Sequence, residues 1–486
     1  MFGRLGLRFF SLPVWGKNTI FALATAQGKA GVGIIRVSGP ATREVLARLL
    51  PEETASRITR QPRKLFRVDL IGHLKEILDT AMVVFFANPH SFTGEDVAEL
   101  HIHSSKAVIS ALYAQLSSFE GVRIAEPGEF SRRAFLNSKL DLTQVEGLGD
   151  LLAAETDNQR RLALTHLGGR TGAVFTAWRT QIIQAMAMVE AWIDFSEDEA
   201  IEADTLLRVR TLVEELRKEI EGQLEQMKYS EIIRHGLQVV LCGPPNAGKS
   251  SLLNMLIQRD AAIVSPIAGT TRDVLQVNLQ AEGHSLTVWD TAGIRETQHT
   301  CDPIEREGIR RALHATSTAD FVLFLIDASS LGQIETWRPP LQQLDANKLA
   351  IVLNKTDLSP TTNLHQAITR LRELLPTQYV TVPILTNSVV SGTSNFKHEM
   401  LALLYSKCLS DYTTASALPV IVNERQQSHA RAAHAALMNV GGTLDNDVVL
   451  AAEHLRQAAN AIGRITGHIG NEDILDVLFA SFCIGK

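Results

Sequence analysis

The feature that most limits what this chain can fold into is the run Gly243-Pro-Pro-Asn-Ala-Gly248-Lys249-Ser250. The apolar stretch Leu237 to Leu241 precedes it, and the helical pattern Ser251 to Gln258 follows. G-x-x-x-x-G-K-S has its meaning only as strand, loop and helix. The glycines let the backbone curl so that amides and a helix N-terminus face a polyphosphate. Lys249 reaches the β- and γ-phosphates, and the Ser250 hydroxyl is placed for Mg²⁺. Asn246, Ala247, Gly248 and Ser251 make up the rest of the phosphate cradle. From about Gly236 to Ser406 the sequence alternates strand and helix patterns, as a doubly wound α/β domain around such a loop must.

Three more pieces follow. Gly269-Thr270-Thr271-Arg272-Asp273 lies in a polar loop, where one of the two threonines completes the Mg²⁺ shell. Asp290-Thr-Ala-Gly293 ends the strand Ser285 to Trp289. Asp290 supports Mg²⁺ through water, and the Gly293 N–H senses the γ-phosphate. Loops of this kind order around a γ-phosphate and relax after hydrolysis. Asn354-Lys355-Thr356-Asp357 ends the strand Leu349 to Leu353. A carboxylate there accepts from guanine N1 and N2, which adenine cannot satisfy, so GTP is the expected nucleotide and its hydrolysis the expected activity. Two details refine this. Ile294 stands where Ras-type enzymes place a water-orienting glutamine, so hydrolysis needs another group. Asn246 either holds a monovalent cation against the phosphates through its side-chain carbonyl or stabilises its own turn.

A chain of 486 residues holds roughly two to four domains. Between residues 19 and 137, strand patterns at Val32 to Val37, Thr80 to Ala87 and Val97 to His103 alternate with helical stretches at Thr42 to Leu50 and Ala107 to Ser117. That is an α+β domain. Residues 138–235 are rich in Ala, Leu, Gln and Glu. Val209, Leu212, Leu216, Ile220, Leu224 and Met227 recur at helical spacing, which reads as a helical bundle. Residues 407–486 return to helix, so the α/β segment 236–406 reads as inserted into a helical domain. The acidic run Asp194 to Glu199 reads as a solvated helix end.

The net charge of −6, from 47 basic and 53 acidic side chains, excludes a protein that coats nucleic acid non-specifically. Any such contact is local or shared with a partner. No apolar run has the length needed to span a bilayer, so membrane insertion is not expected. Cys242, Cys301, Cys408 and Cys483 are too scattered for a disulfide framework and fit a reducing compartment. No acidic residue occurs before Glu44. Arg4, Arg8 and Lys17 are interleaved with Phe2, Leu5, Leu7, Phe9 and Phe10, so residues 1–18 read as a mitochondrial targeting segment, with a bacterial cytoplasm as the alternative.

Motifs outside the α/β segment carry a family resemblance over nearly the whole chain. Thr19 to Thr25, Gly31 to Gly39, Ser91 to Leu100, Pro127 to Asn137, Lys139 to Gln144 and the terminal Phe482-Cys-Ile-Gly-Lys486 resemble the MnmE/TrmE family of tRNA-modification GTPases. The resemblance implies a folate-binding N-terminal domain that dimerises, a helical domain, and an inserted Ras-like GTPase domain. It implies a flavin-dependent partner of the MnmG/GidA type, and modification of carbon 5 of the wobble uridine in certain tRNAs. The one-carbon unit would come from a 5-formyl- or methylene-tetrahydrofolate. It also implies K⁺ on Asn246, Ser265, Ile267 and Thr270, Mg²⁺ on Ser250 and Thr271, and a water-orienting acid at Glu305, chosen over Glu296 and Glu307. Folate would meet Arg36, Glu99, Lys139 and Lys486, and Cys483 would be a functional thiol beside it. Taken alone, those charges read as ordinary surface residues. The alternative that the α/β segment leaves open is a ribosome-assembly GTPase binding ribosomal RNA, which has no reason to carry the Pro127 to Gln144 block or the terminal tail.

Two departures from the family pattern matter. Ser104-Ser105 stands where a Gly-Gly pair is expected, which bears on folate binding. The guanine-supporting element late in the α/β segment is poorly matched, with Thr386-Asn-Ser388 the nearest stretch. His101 and His103 alternate on one strand without a third ligand, which argues against a metal there.

Overall fold

The computed structural model describes residues 18–195, 205–258, 276–281, 283–290, 319–358, 364–388, 395–408 and 418–467, together with residues 482 and 485. It forms two compact units. One comprises Met1–Gly149, Thr165–Leu216 and Ala432–Lys486, the other Asp150–Leu164 and Arg217–Arg431. Both segments of the second lie between segments of the first in sequence.

The first unit is built on strands β1 (Thr19–Leu23), β2 (Ala30–Ser38), β3 (Phe66–Ile71), β4 (Ile77–Phe86), β5 (Val97–Ser104) and β6 (Val122–Ile124), with helices α1 (Thr42–Leu49), α2 (Glu52–Arg60) and α3 (Lys106–Ser117). The strand order is β3-β4-β5-β2-β1-β6, antiparallel except for the parallel β1–β6 pair. Strand side chains alternate between faces. One face therefore gathers Phe21, Leu23, Ile35, Val37, Val83, Phe85, Leu100 and Ile102 against Val45, Leu46, Leu49, Ile58, Leu112 and Leu116 of the three helices. The opposite face carries Arg36 and Glu99, and beside them a smaller cluster of Ile20, Ala22, Ala125, Phe130 and Phe92. Phe130 lies on α4 (Glu129–Leu136).

Helices α5 (Leu142–Ala153), α6 (Asp157–Leu167), α7 (Arg170–Phe195) and α8 (Thr205–Glu225) follow. On α7 the buried Phe175, Trp178, Ile182, Ala185 and Val189 recur every three or four residues. They pack along the C-terminal helix Val448–Thr466, whose buried Ala451, Ala452, Ala458 and Ala459 permit close approach. On α8 the buried stripe runs Val209, Val213, Leu216, Ile220, so Val213 takes the place that helical spacing gave Leu212, which is half-buried.

In the second unit α9 (Met227–His235) leads into β7 (Leu237–Cys242). The remaining strands are β8 (Gln276–Ala281), β9 (His284–Asp290), β10 (Phe321–Asp327), β11 (Leu349–Asn354) and β12 (Ile384–Thr386), in the order β12-β11-β10-β7-β9-β8. All pairs are parallel except β8–β9. β10 and β11 are apolar almost throughout and buried, as central parallel strands covered on both faces must be. The next two strands in sequence, β8 and β9, lie on one side of β7 and the later ones on the other. The loop that leaves β7 for α10 (Lys249–Gln258) thus opens at the switch point of the sheet, where such folds bind ligands.

Candidate functional site

The phosphate loop is held in shape by two glycines at which any side chain is strained. Gly243 has φ +138°, and a Cβ there would stand 2.3 Å from the Leu325 carbonyl oxygen. Gly248 has φ +95°, and its Cβ would stand 2.2 Å from Nδ2 of Asn354. α10 begins at Lys249, and Leu252 N–H donates to the Gly248 carbonyl, so the first-turn amides adjoin the loop as an anion site requires. Lys249 Nζ donates to the carbonyls of Gly243 and Pro244 at 2.8 and 3.0 Å, within the arc of the cradle. Ser250 and Ser251 occupy the same first turn. Asn246 is exposed at φ +63°, and its backbone carbonyl accepts from Lys355 Nζ at 2.7 Å.

Asn354 ties this loop to the base-recognition loops. It is fully buried; Nδ2 donates to the Ala247 carbonyl at 2.8 Å, and Oδ1 accepts from Asn387 Nδ2 at 2.9 Å. Lys355, at φ +55°, also donates to Asp327 Oδ2 at 2.8 Å. Burial pushes the Asp327 carboxyl up, but hydrogen bonds from Lys355 and Ser329 outweigh it and hold the group below the usual carboxylate range. Asp357 is exposed, and its Oδ1 accepts from the Ser388 hydroxyl at 2.6 Å. Thr386-Asn387-Ser388 therefore does face Asp357, however weakly its sequence signals this. Asp327 carried no sequence motif and Asn387 only the weak Thr386-Asn-Ser388 match; both come from strand ends that only the β10–β11–β12 pairing brings to the loop.

At the other end of the site, Asp290 ends β9 in register with Leu241 of β7, beside the start of the phosphate loop. Its side chain, and Ser265, Ile267, Gly269, Thr270, Thr271, Arg272, Asp273, Gly293, Ile294, Glu296, Glu305 and Glu307, lie outside the described residues, as do Cys301, Cys483, Lys486, residues 1–17 and most of the run after Asp194.

A second constellation occupies the N-terminal sheet. Arg36 on β2 and Glu99 on β5 are register partners. Nε and one terminal nitrogen of Arg36 donate to Glu99 Oε1 at 3.0 and 2.9 Å, and each side chain is only 19% exposed, so neither is an ordinary surface charge. The guanidinium lies 5.2 Å from the ring centre of Phe92 and 5.7 Å from that of Phe130. His101 Nε2 stands 3.7 Å from the other Glu99 oxygen, while His103 Nδ1 pairs with Asp79 Oδ1 at 2.7 Å. Lys139 is not drawn onto the pair. Its Nζ donates to the Pro89 carbonyl at 3.0 Å, and its stem lies against Gly94, bracketing the loop that carries Phe92. From the terminal tail, Gly485 lies against the backbone of Leu23 and Ala24 at the end of β1, and Phe482 against Gly149. Ser104 donates to the Gly28 carbonyl at 3.0 Å, and Ser105 caps α3 by accepting from Val108 N–H at 3.2 Å.

Each constellation fits a class of ligand. The loop 243–250 with Asp357 presents a cradle, a lysine and a carboxylate, as a guanine nucleotide needs. The Arg36–Glu99 pair, its guanidinium over two phenyl rings, is a partly buried charge pair of the kind that holds a polar ligand.

Residues 19–139 match the family model described as GTP-binding protein TrmE N-terminus, and residues 142–483 match the MnmE helical domain. The chain is 41% identical over 473 residues to the tRNA modification GTPase MnmE of Sinorhizobium medicae, covering 96% of this chain and 99% of that protein. It is 41% identical over 485 residues to the mitochondrial 5-taurinomethyluridine-[tRNA] synthase subunit GTPB3 of Danio rerio, covering 97% and 94%. It is 42% identical over 474 residues to the tRNA modification GTPase MnmE of Paramagnetospirillum magneticum, covering 96% and 100%.

Proposed function

The chain belongs to the MnmE/TrmE family of tRNA-modification GTPases, and on that premise we propose that its GTPase cycle drives substitution at carbon 5 of the wobble uridine of certain tRNAs. The observation that carries the proposal is the presence, in one chain, of an assembled guanine-nucleotide loop system and a separate Arg36–Glu99 site. A nucleotide switch alone has no use for the second.

In this reading Lys249 and the first turn of α10 hold the phosphates, Ser250 and Thr271 hold Mg²⁺, and Asp357, braced by Ser388, reads guanine. Asn246, Ser265, Ile267 and Thr270 hold K⁺ against the phosphates, and Glu305 orients the attacking water in place of the glutamine that Ile294 displaces. Arg36 and Glu99, with Lys139 and Lys486, hold a tetrahydrofolate derivative, with Cys483 beside it. The bound folate supplies the one-carbon unit. A flavin-dependent MnmG/GidA-type protein is the partner, two copies of this chain associate through the N-terminal domain, and the compartment is the mitochondrion. The domain limits proposed are those read from the sequence, with the GTPase domain at 236–406.

The test is mass spectrometry of wobble uridines in tRNA from cells lacking this protein, rescued with wild type, Asp357→Asn or Cys483→Ser. The expected result is that the 5-substituted uridine disappears and only wild type restores it. Unchanged wobble uridines overturn the tRNA reading, and full rescue by Cys483→Ser overturns the role of the thiol.

A further inference from the structure

The Pro127 to Asn137 block supplies α4, whose Phe130 flanks Arg36, and its Glu129 and Arg133 lie almost dry within a chain of charges. Arg123 on β6 grips Glu129 with both terminal nitrogens, at 2.8 and 2.6 Å. Arg133, one turn on, donates to Glu129 Oε1 at 2.9 Å and reaches across to both oxygens of Glu95 at 3.1 and 3.0 Å. Ser38 on β2 donates to Glu95 Oε2 at 2.6 Å and shares a 2.7 Å hydrogen bond with Thr93. The Arg133 and Glu129 side chains are 4% and 3% exposed. Burial pushes the Glu129 carboxyl up, but the two arginines and the Glu126 N–H outweigh it and hold it low.

The chain of contacts has a direction. It runs from α4, which carries Phe130, through the loop 91–95, which carries Phe92, to β2 two residues from Arg36. Those are the two rings that flank the Arg36 guanidinium. The main core of this unit lies on the opposite face of the sheet and includes no residue of α4. The network therefore ties α4 and the loop 91–95 to β2 and β6 on the Arg36 face.

We propose that Arg133 is a positioning residue for the folate site. Through Glu129 and Glu95 it clamps Phe130 and Phe92 about Arg36 and so presents the Arg36–Glu99 pair in one geometry. The proposal rests on the folate reading of that pair. An arginine is needed because two carboxylates approach from different sides, and its two terminal nitrogens meet both; a lysine ammonium is a point donor on a flexible stem.

The experiment compares full-length wild type with Arg133→Lys, which keeps the charge, by titration with 5-formyl-tetrahydrofolate and by hydrogen exchange read by mass spectrometry. Arg133→Lys should weaken folate binding by about tenfold, the weight of one charge-assisted hydrogen bond. It should also raise exchange in residues 33–38 and 91–95 while leaving 66–86 unchanged. Affinity within twofold of wild type overturns the proposal, and so does an exchange increase spread evenly over the sheet, which would mark a merely structural role. If wild type itself does not bind folate, the folate reading falls. The exchange pattern then shows separately whether Arg133 holds the Arg36 face, and unchanged exchange at 33–38 overturns that too.

Discussion

Replacing Gly248 by alanine tests whether one buried amide sets the phosphate loop against the base-recognition loops. Two costs follow from the geometry. At φ +95° an L residue is strained, by about 1–2 kcal/mol. The new Cβ would also stand 2.2 Å from Asn354 Nδ2, so the Asn354 side chain must leave. Its departure strands the Ala247 carbonyl and the Asn387 amide, at about 1–2 kcal/mol each once some relaxation is allowed. Gly248→Ala should therefore cost about 3–6 kcal/mol, and Asn354→Ala, which strands the same two groups, about 2–4 kcal/mol. The double variant loses those hydrogen bonds only once and has no clash, so it should cost no more than Gly248→Ala alone. The single costs then exceed the double by about 2–4 kcal/mol. Unfolding of a multidomain chain is not two-state, so the assay is native-state hydrogen exchange at the amides of β11 in the full chain. Costs that add to within about 0.5 kcal/mol would show that the two residues act independently and refute the argument. GTP affinity, measured alongside, should fall in the same order.

Three other outcomes follow from single contacts. Ser388→Ala removes the hydrogen bond that orients Asp357, and GTP affinity should drop by about 10- to 100-fold while ATP binding does not change; an unaltered GTP affinity would detach Ser388 from guanine recognition. The depressed Asp327 carboxyl contributes stability that is complete above its unfolded value and is lost as pH falls through its lower folded value. Wild type should thus lose this contribution in the GTPase domain only below about pH 4, whereas Asp327→Asn flattens that acid limb; parallel acid limbs in native-state hydrogen exchange at β10 and β11 would remove the Lys355 pair from the account. Burial pushes the Cys408 thiol up to about 11, so iodoacetamide at pH 8 should leave it unmodified in the folded protein, and labelling as fast as an exposed thiol would contradict that burial.

How much of this was legible in the sequence depends on where each geometry is encoded. The phosphate loop is local. Gly243, Gly248 and Lys249 lie within seven residues and specify backbone angles as much as chemistry, so the motif and the observed cradle coincide. Asp357 ends a strand whose apolar run announces it. Ser388 lies 31 residues further on, two residues past a three-residue strand, and only the parallel pairing of β11 with β12 makes the two meet. The N-terminal constellation is harder still. Arg36 and Glu99 are 63 residues apart, and their partnership exists only in the register of β2 against β5. A one-residue slip in that register would turn one of them into the apolar core, so the alternation Ile35, Val37 against Ala98, Leu100 is what forces the pair onto the other face. Glu95 and Arg133 had no periodicity, motif chemistry or spacing to reveal them. Each reads as a solvated charge until the sheet, the loop and α4 are in place, and only then is the cost of leaving either one alone apparent. A buried pair of that kind is strongly destabilised by loss of one partner, by about 3–5 kcal/mol. A block of sequence can thus carry a family resemblance through what it places, because α4 sets Phe130, and through Glu95 the loop of Phe92, about an arginine that it never touches in sequence.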